Sequence, residues 1–174
     1  QSLKQKTTMK YIAFFALFCT LIACDSTPAE PVSPFTQELN LMEYGIPVTL
    51  PVPEGATVKN NTDDFMQDVV VEGKDYYVQI YGSNSTSLQC EKLAEESLLD
   101  YKTTDAAFKG VVQQDPCGFL YKLEVDNDTT TSYNFAYFAV KGNKAYTFST
   151  TAGPLADFDQ GKVAAIYEAV KAQK

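Results

Sequence analysis

An apolar run from Tyr11 to Ala23, preceded by Met9 and Lys10 and closed by Cys24, decides how much of this chain can enter a folded domain. It is 13 residues long. A helix that crosses a membrane needs about 20 apolar residues, whereas the apolar part of a secretory signal needs about 7–15. The run therefore reads as a signal segment, and residues 1–23 are set aside from the fold. Gln1–Thr8, upstream of the candidate initiator Met9, are set aside with it. Residues 24–40 read as a second non-folding stretch. Pro28, Pro31 and Pro34 punctuate a sequence with almost no large apolar side chain, which cannot bury enough surface to order itself and is expected to be an extended tether. A single folded domain is expected over 41–174.

Composition supports a core and narrows the chemistry. The chain has 174 residues, 45% of them hydrophobic, with 11 Phe and 11 Tyr, ample for one domain of ordinary size. Histidine and tryptophan are absent, and so is arginine. Without an imidazole, Ser-His-Asp and Cys-His nucleophile systems, HExxH zinc sites and Cys2His2 fingers cannot be assembled. Nucleic acid is not expected as a partner, because phosphate neutralisation dominates that affinity and this chain carries a net charge of −8.

The four residues Leu21-Ile22-Ala23-Cys24 resemble the lipobox of bacterial lipoproteins: a branched apolar residue, a tolerated apolar one, a small one and the cysteine. The resemblance implies cleavage after Ala23 and acylation of Cys24, which would anchor the protein to a membrane of the bacterial cell envelope. Cleavage would remove Lys4, Lys6 and Lys10 and leave 11 lysines against 22 acids, a net charge of −11. Each buried acyl CH2 contributes about 0.8 kcal/mol, so multiple chains hold firmly while anionic headgroups repel the acidic body. Asp25 resembles an inner-membrane retention signal of some bacteria, whereas in others acids beside the lipidated cysteine accompany export to the surface. The domain is accordingly expected to face the periplasm or the cell exterior.

On this reading Cys19 is lost with the signal and Cys24 carries lipid, leaving Cys90 and Cys117 in an oxidising compartment. They are the expected disulfide pair. The alternatives are two separate buried thiols or a redox-active pair, the last disfavoured by the lack of CxxC spacing.

The body alternates strand and helix signals. Ile46–Leu50 reads as an edge strand broken by Pro51-Val52-Pro53. Gln67–Glu72 and Tyr76–Tyr81 flank Gly73-Lys74-Asp75 as a hairpin. Thr86 to Gln89 matches a capping box and predicts a helix to about Lys102, with Cys90, Leu93, Ala94, Ser97, Leu98 and Tyr101 on one face. Four mostly antiparallel strands follow, near 108–114, 119–125, 132–140 and 145–151. A final helix is predicted from Asp157, with Gln160 at its third position and Val163, Ile166, Tyr167 and Val170 as the apolar stripe. The predicted class is α+β, a curved antiparallel sheet with two main helices packed on it.

The early strand ending in Leu50-Pro51-Val52-Pro53-Glu54-Gly55, the mid-chain helix, the meander and a closing helix over Asp159–Lys171 resemble the PsbP/DcrB-like α/β/α sandwich, which includes small bacterial lipoproteins. Members act mainly in assembly or as accessory proteins. The resemblance implies a lipid-anchored, protein-binding module without catalytic residues or cofactor. Two other readings stay open: a small-ligand or metal-binding lipoprotein, and a hydrolase that uses carboxylates or a bound metal. Asp63-Asp64-Phe65-Met66-Gln67-Asp68, Asp126-Asn127-Asp128 and Asp157-Phe158-Asp159 supply oxygen donors of the kind calcium accepts. They lack the glycine and bidentate glutamate of an EF-hand, and a solvated turn or a helix cap is the favoured reading of each. The strand tyrosines Tyr76, Tyr77, Tyr81, Tyr121, Tyr133, Tyr137 and Tyr146 offer either a recognition surface or sheet packing.

Overall fold

A computed structural model describes residues 34–85, 87–124, 131–150 and 159–174. Among the described residues the fold is α+β, built on an open seven-stranded antiparallel sheet with two helices. Strands β1 (Gln37–Asn40) and β2 (Thr49–Val52) pair with each other. Strands β3 (Thr57–Asn60), β4 (Gln67–Gly73), β5 (Tyr76–Asn84), β6 (Phe108–Asp115), β7 (Gly118–Glu124), β8 (Thr131–Lys141) and β9 (Lys144–Ser149) form the large sheet. Their order across it is β3-β4-β5-β9-β8-β7-β6. Helix α1 spans Cys90–Thr104 and helix α2 spans Gln160–Lys171.

Period-2 patterning sends alternate strand residues to opposite faces, and the two helices take one face each. Val69, Val71, Val78, Ile80, Leu120, Phe135 and Phe148 pack with Val163, Ile166, Tyr167 and Val170 of α2. Phe119, Tyr121, Ala136 and Phe138, whose neighbours Leu120 and Phe135 face the other way, pack with Ala94 and Leu98 of α1. The β1–β2 hairpin joins the α2 layer through Leu50 and Val52, and the chain end ties it there. Thr49 and Lys174 exchange both backbone hydrogen bonds at 3.1 Å.

The turns follow local chemistry. The β4–β5 turn places Asp75 at φ 52°, and the β8–β9 turn places Gly142 at φ 64°, the left-handed region that tight hairpins use. The edge strand β6 shifts register twice against β7, at Phe108/Gly110 and Val111/Gln113. Such bulges make an exposed edge a poor template for pairing with another chain.

Several boundaries differ from the sequence reading. Strand β1 lies ahead of Leu41, inside the stretch expected to be tether, because Gln37–Asn40 finds a partner in β2 that no local pattern announces. Strand β2 runs through Pro51 rather than stopping before it. Pro51 sits opposite Glu38 in the small edge hairpin, where a missing N–H is tolerated. The short strand β3 was absent from the sequence reading. Helix α1 begins at Cys90 with Gln89 as its N-cap and no side-chain cap, so Gln89 is not the third residue of a capping box. Thr86 lies outside the described residues. Helix α2 is capped by Asp159, whose carboxylate accepts from Lys162 N at 2.9 Å, and Gln160 is therefore its first residue. Asp157 lies outside the described residues.

Candidate functional site

The site residues read from the sequence fall in two places. Cys24 lies outside the described residues. Cys90, at the start of α1, and Cys117, in the β6–β7 turn, meet with Cα atoms 5.0 Å apart and sulfurs at disulfide-bonding distance. Glu91 adds a carboxylate within 4.8 Å of both sulfurs. Thiolate is the form that ligates metal, so the bonded pair leaves only Glu91 as a ligand there.

The β6–β7 turn also holds the opposite helix. Asp115 accepts Lys171 Nζ at 3.0 Å and Gln113 Nε2 at 3.2 Å, while Glu168 accepts from the same two groups at 3.0 and 2.8 Å. The buried Tyr167 hydroxyl lies beside Asp115, outside strict hydrogen-bond geometry. Burial pushes the Asp115 carboxyl up, but Lys171, Tyr167 and Gln113 outweigh it and hold it below the usual range. Burial and the neighbouring Asp115 together raise the Tyr167 phenol.

A hollow of about 320 Å³ opens beside this turn, lined by Glu91, Glu95, Asp115 and Phe119 among others. Asp115 is ion-paired and shifted toward the charged form, the opposite of what a general acid requires. A second cleft, about 580 Å³, lies between Phe35, Pro53 and Ala165, with Asp75 and Lys162 paired at 2.8 Å on its rim. The Lys162 hydrogen bond holds Asp75 below the usual range as well. Both hollows are thus bordered by carboxylates engaged in ion pairs.

The acid and tyrosine clusters resolve into mostly structural roles. Asp126-Asn127-Asp128 lies outside the described residues, and Asp159 is a helix cap. Tyr76, Tyr121 and Tyr146 are fully buried in the two cores, so these strand tyrosines are packing. The remaining acidic stretch does something the sequence reading missed.

Between β3 and β4 the chain makes a loop that turns Asp63 inward to its own backbone. Asp63 Oδ1 accepts from Phe65 N and Met66 N, both at 2.8 Å, and Asp63 N donates to Met66 O at 3.1 Å. Asn60 Oδ1 accepts from Thr62 N at 3.1 Å, and Asp68 N donates to Thr62 Oγ1 at 3.2 Å. Those two backbone hydrogen bonds hold the Asp63 carboxyl below its ordinary range. With the N–H groups of Thr62, Asp63, Phe65 and Met66 bonded within the loop, Phe65 is lifted into solvent at 97% exposure. Met66 follows it, half exposed. The 3₁₀ turn Met42–Tyr44 lies alongside, held by Gln67 Nε2 donating to Tyr44 O at 2.8 Å, and it presents a third exposed apolar side chain, Met42. The signal was present in the sequence as an aspartate followed at two and three residues by Phe and Met, a side-chain-to-backbone turn in which the aspartate serves the loop.

No protein-family model matches the chain, and no curated protein matches it either.

Proposed function

We propose that this protein is a lipid-anchored component of the bacterial cell envelope whose α+β domain docks on another protein. The observation that carries this reading is Phe65, an aromatic side chain 97% exposed on a loop whose backbone is locked by its own hydrogen bonds. Single exposed apolar residues are ordinary on protein surfaces. A fully exposed phenyl ring on a pre-ordered support differs, because a partner that buries it gains apolar area without ordering the loop. The lipobox resemblance at Leu21–Cys24 supplies the anchor, and one helix on each face of an antiparallel sheet is in keeping with the PsbP/DcrB-like resemblance.

Two measurements test it. Cys24→Ser should move the full-length protein from the membrane fraction to the soluble one, and a variant that stays with the membrane removes the anchoring claim. A photo-crosslinking amino acid at position 65, in the native envelope, should give a discrete protein adduct that the same probe at Leu99 does not give. Leu99 is exposed on α1 and serves as a surface control. Equal labelling from both positions, or none from position 65, rejects the docking surface.

A further inference from the structure

The chemistry of the partner can be read from what surrounds the exposed ring. Asp63 and Asp64 precede Phe65, and Glu43 stands beside Met42 on the adjoining 3₁₀ turn, whereas Asp68 is turned to β5, where it accepts from Gln79 Nε2 at 3.0 Å. Asp63 is fixed in its charged form by the two backbone donors of its loop. At this end of the sheet Lys144 donates to the Gln67 amide oxygen at 3.4 Å, one cation among these acids. An apolar centre is therefore set in an acidic rim.

We infer that Phe65 seats in an apolar socket of a partner protein whose rim carries lysine or arginine side chains. This inference rests on the docking function proposed above and specifies its partner. Apolar anchors supply most of the energy of an interface, and charges around them set partner choice and association rate. A bilayer fits poorly. Inserting Phe65 would drive the acidic side chains of Asp63 and Asp64 against headgroups whose surface potential is negative. A second copy of this chain fits poorly too, because a two-fold contact centred on Phe65 would bring each acidic rim onto its equal.

The test uses the full-length anchored protein with the photo-crosslinker at position 65 and three charge reversals placed singly. Asp64→Lys and Glu43→Lys reverse the rim. Glu95→Lys, on the exposed face of α1, changes net charge by the same amount elsewhere. Asp63 is left intact because it holds the loop, and thermal melting confirms that each variant is folded. The rim reversals should each lower the protein adduct about fivefold or more, with Glu95→Lys within about twofold of the parent, and added salt should weaken the parent adduct. A protein adduct that is indifferent to the rim reversals keeps the docking surface and overturns the cationic socket. Equal loss with Glu95→Lys also overturns it, since net charge would then be the cause. An adduct to phospholipid or to a second copy overturns the inferred partner, and no adduct at all removes both proposals.

Discussion

Lys171 donates to Asp115 at 3.0 Å, and two residues farther along the same turn Cys117 meets Cys90. Lys171 ends α2 on one face of the sheet, and Cys90 begins α1 on the other, so one four-residue turn fastens both helices to the β6–β7 edge. Side chains of Asp115 and Lys171 are each about three-quarters buried, 24% and 25% exposed, which screens the pair less than a surface contact.

Breaking that contact should be measurable. Asp115→Asn or Lys171→Met is expected to cost about 1–2 kcal/mol in urea unfolding, more than a typical surface ion pair, because each removes a charge-assisted hydrogen bond from a partly buried pair, Glu168 and Gln113 remaining as the other partners. The double variant should cost less than the two single losses added together. Additive losses would show that the two side chains act independently.

The same carboxylate sets an acid dependence. Its folded pKa lies below the value of a free aspartate, about 3.9, so its stabilisation is complete above that value and is lost as the pH falls through the folded pKa. Stability of the parent should therefore fall between about pH 5 and pH 3 more steeply than that of Asp115→Asn. Urea midpoints across that range check it, and parallel curves would remove Asp115 from the acid response. Asp75 is shifted in the same direction by Lys162 but is half exposed, so its share should be smaller.

Joining Cys90 to Cys117 closes a loop with a sequence separation of 27. Chain-entropy arguments put the stabilisation from such a bridge at about 3 kcal/mol. Cys90→Ala with Cys117→Ala should lose about that much, and alkylation of the native protein without reductant should leave both cysteines unmodified. Full alkylation of both would mean that the native pair is reduced.

What the sequence disclosed and what it withheld separate along physical lines. The apolar stripe Val163, Ile166, Tyr167 and Val170 is buried as its period requires, and Ala94 and Leu98 are the buried centre of α1. The hairpin at Lys74-Asp75 and the turn at Gly142-Asn143 were legible because few residues accept their backbone angles. Strand β1 and strand β3 were not, since each is four residues long and is made a strand by its neighbour's register. Phe65 was hidden for a related reason. In the sequence its aspartates look like cation ligands, and only the hydrogen bonds of Asp63 to Phe65 N and Met66 N show the carboxylate spent on shaping the loop.

Two glycines separate close packing from backbone strain. A Cβ at Gly118 would stand 2.7 Å from the Ala136 carbonyl oxygen and 3.0 Å from the Tyr137 Cα, backbone atoms held by the β7–β8 ladder that cannot yield cheaply. At Gly142 a Cβ would meet open space, and the only difficulty is φ +64°. Gly118→Ala should thus cost about 2–3 kcal/mol through forced strand separation, against about 1 kcal/mol for Gly142→Ala. Asn tolerates the left-handed region, so Gly142→Asn should recover part of the loss, while Gly118→Asn should be worse than Gly118→Ala. Equal responses at the two positions would mean that the β7–β8 contact is looser than its geometry implies.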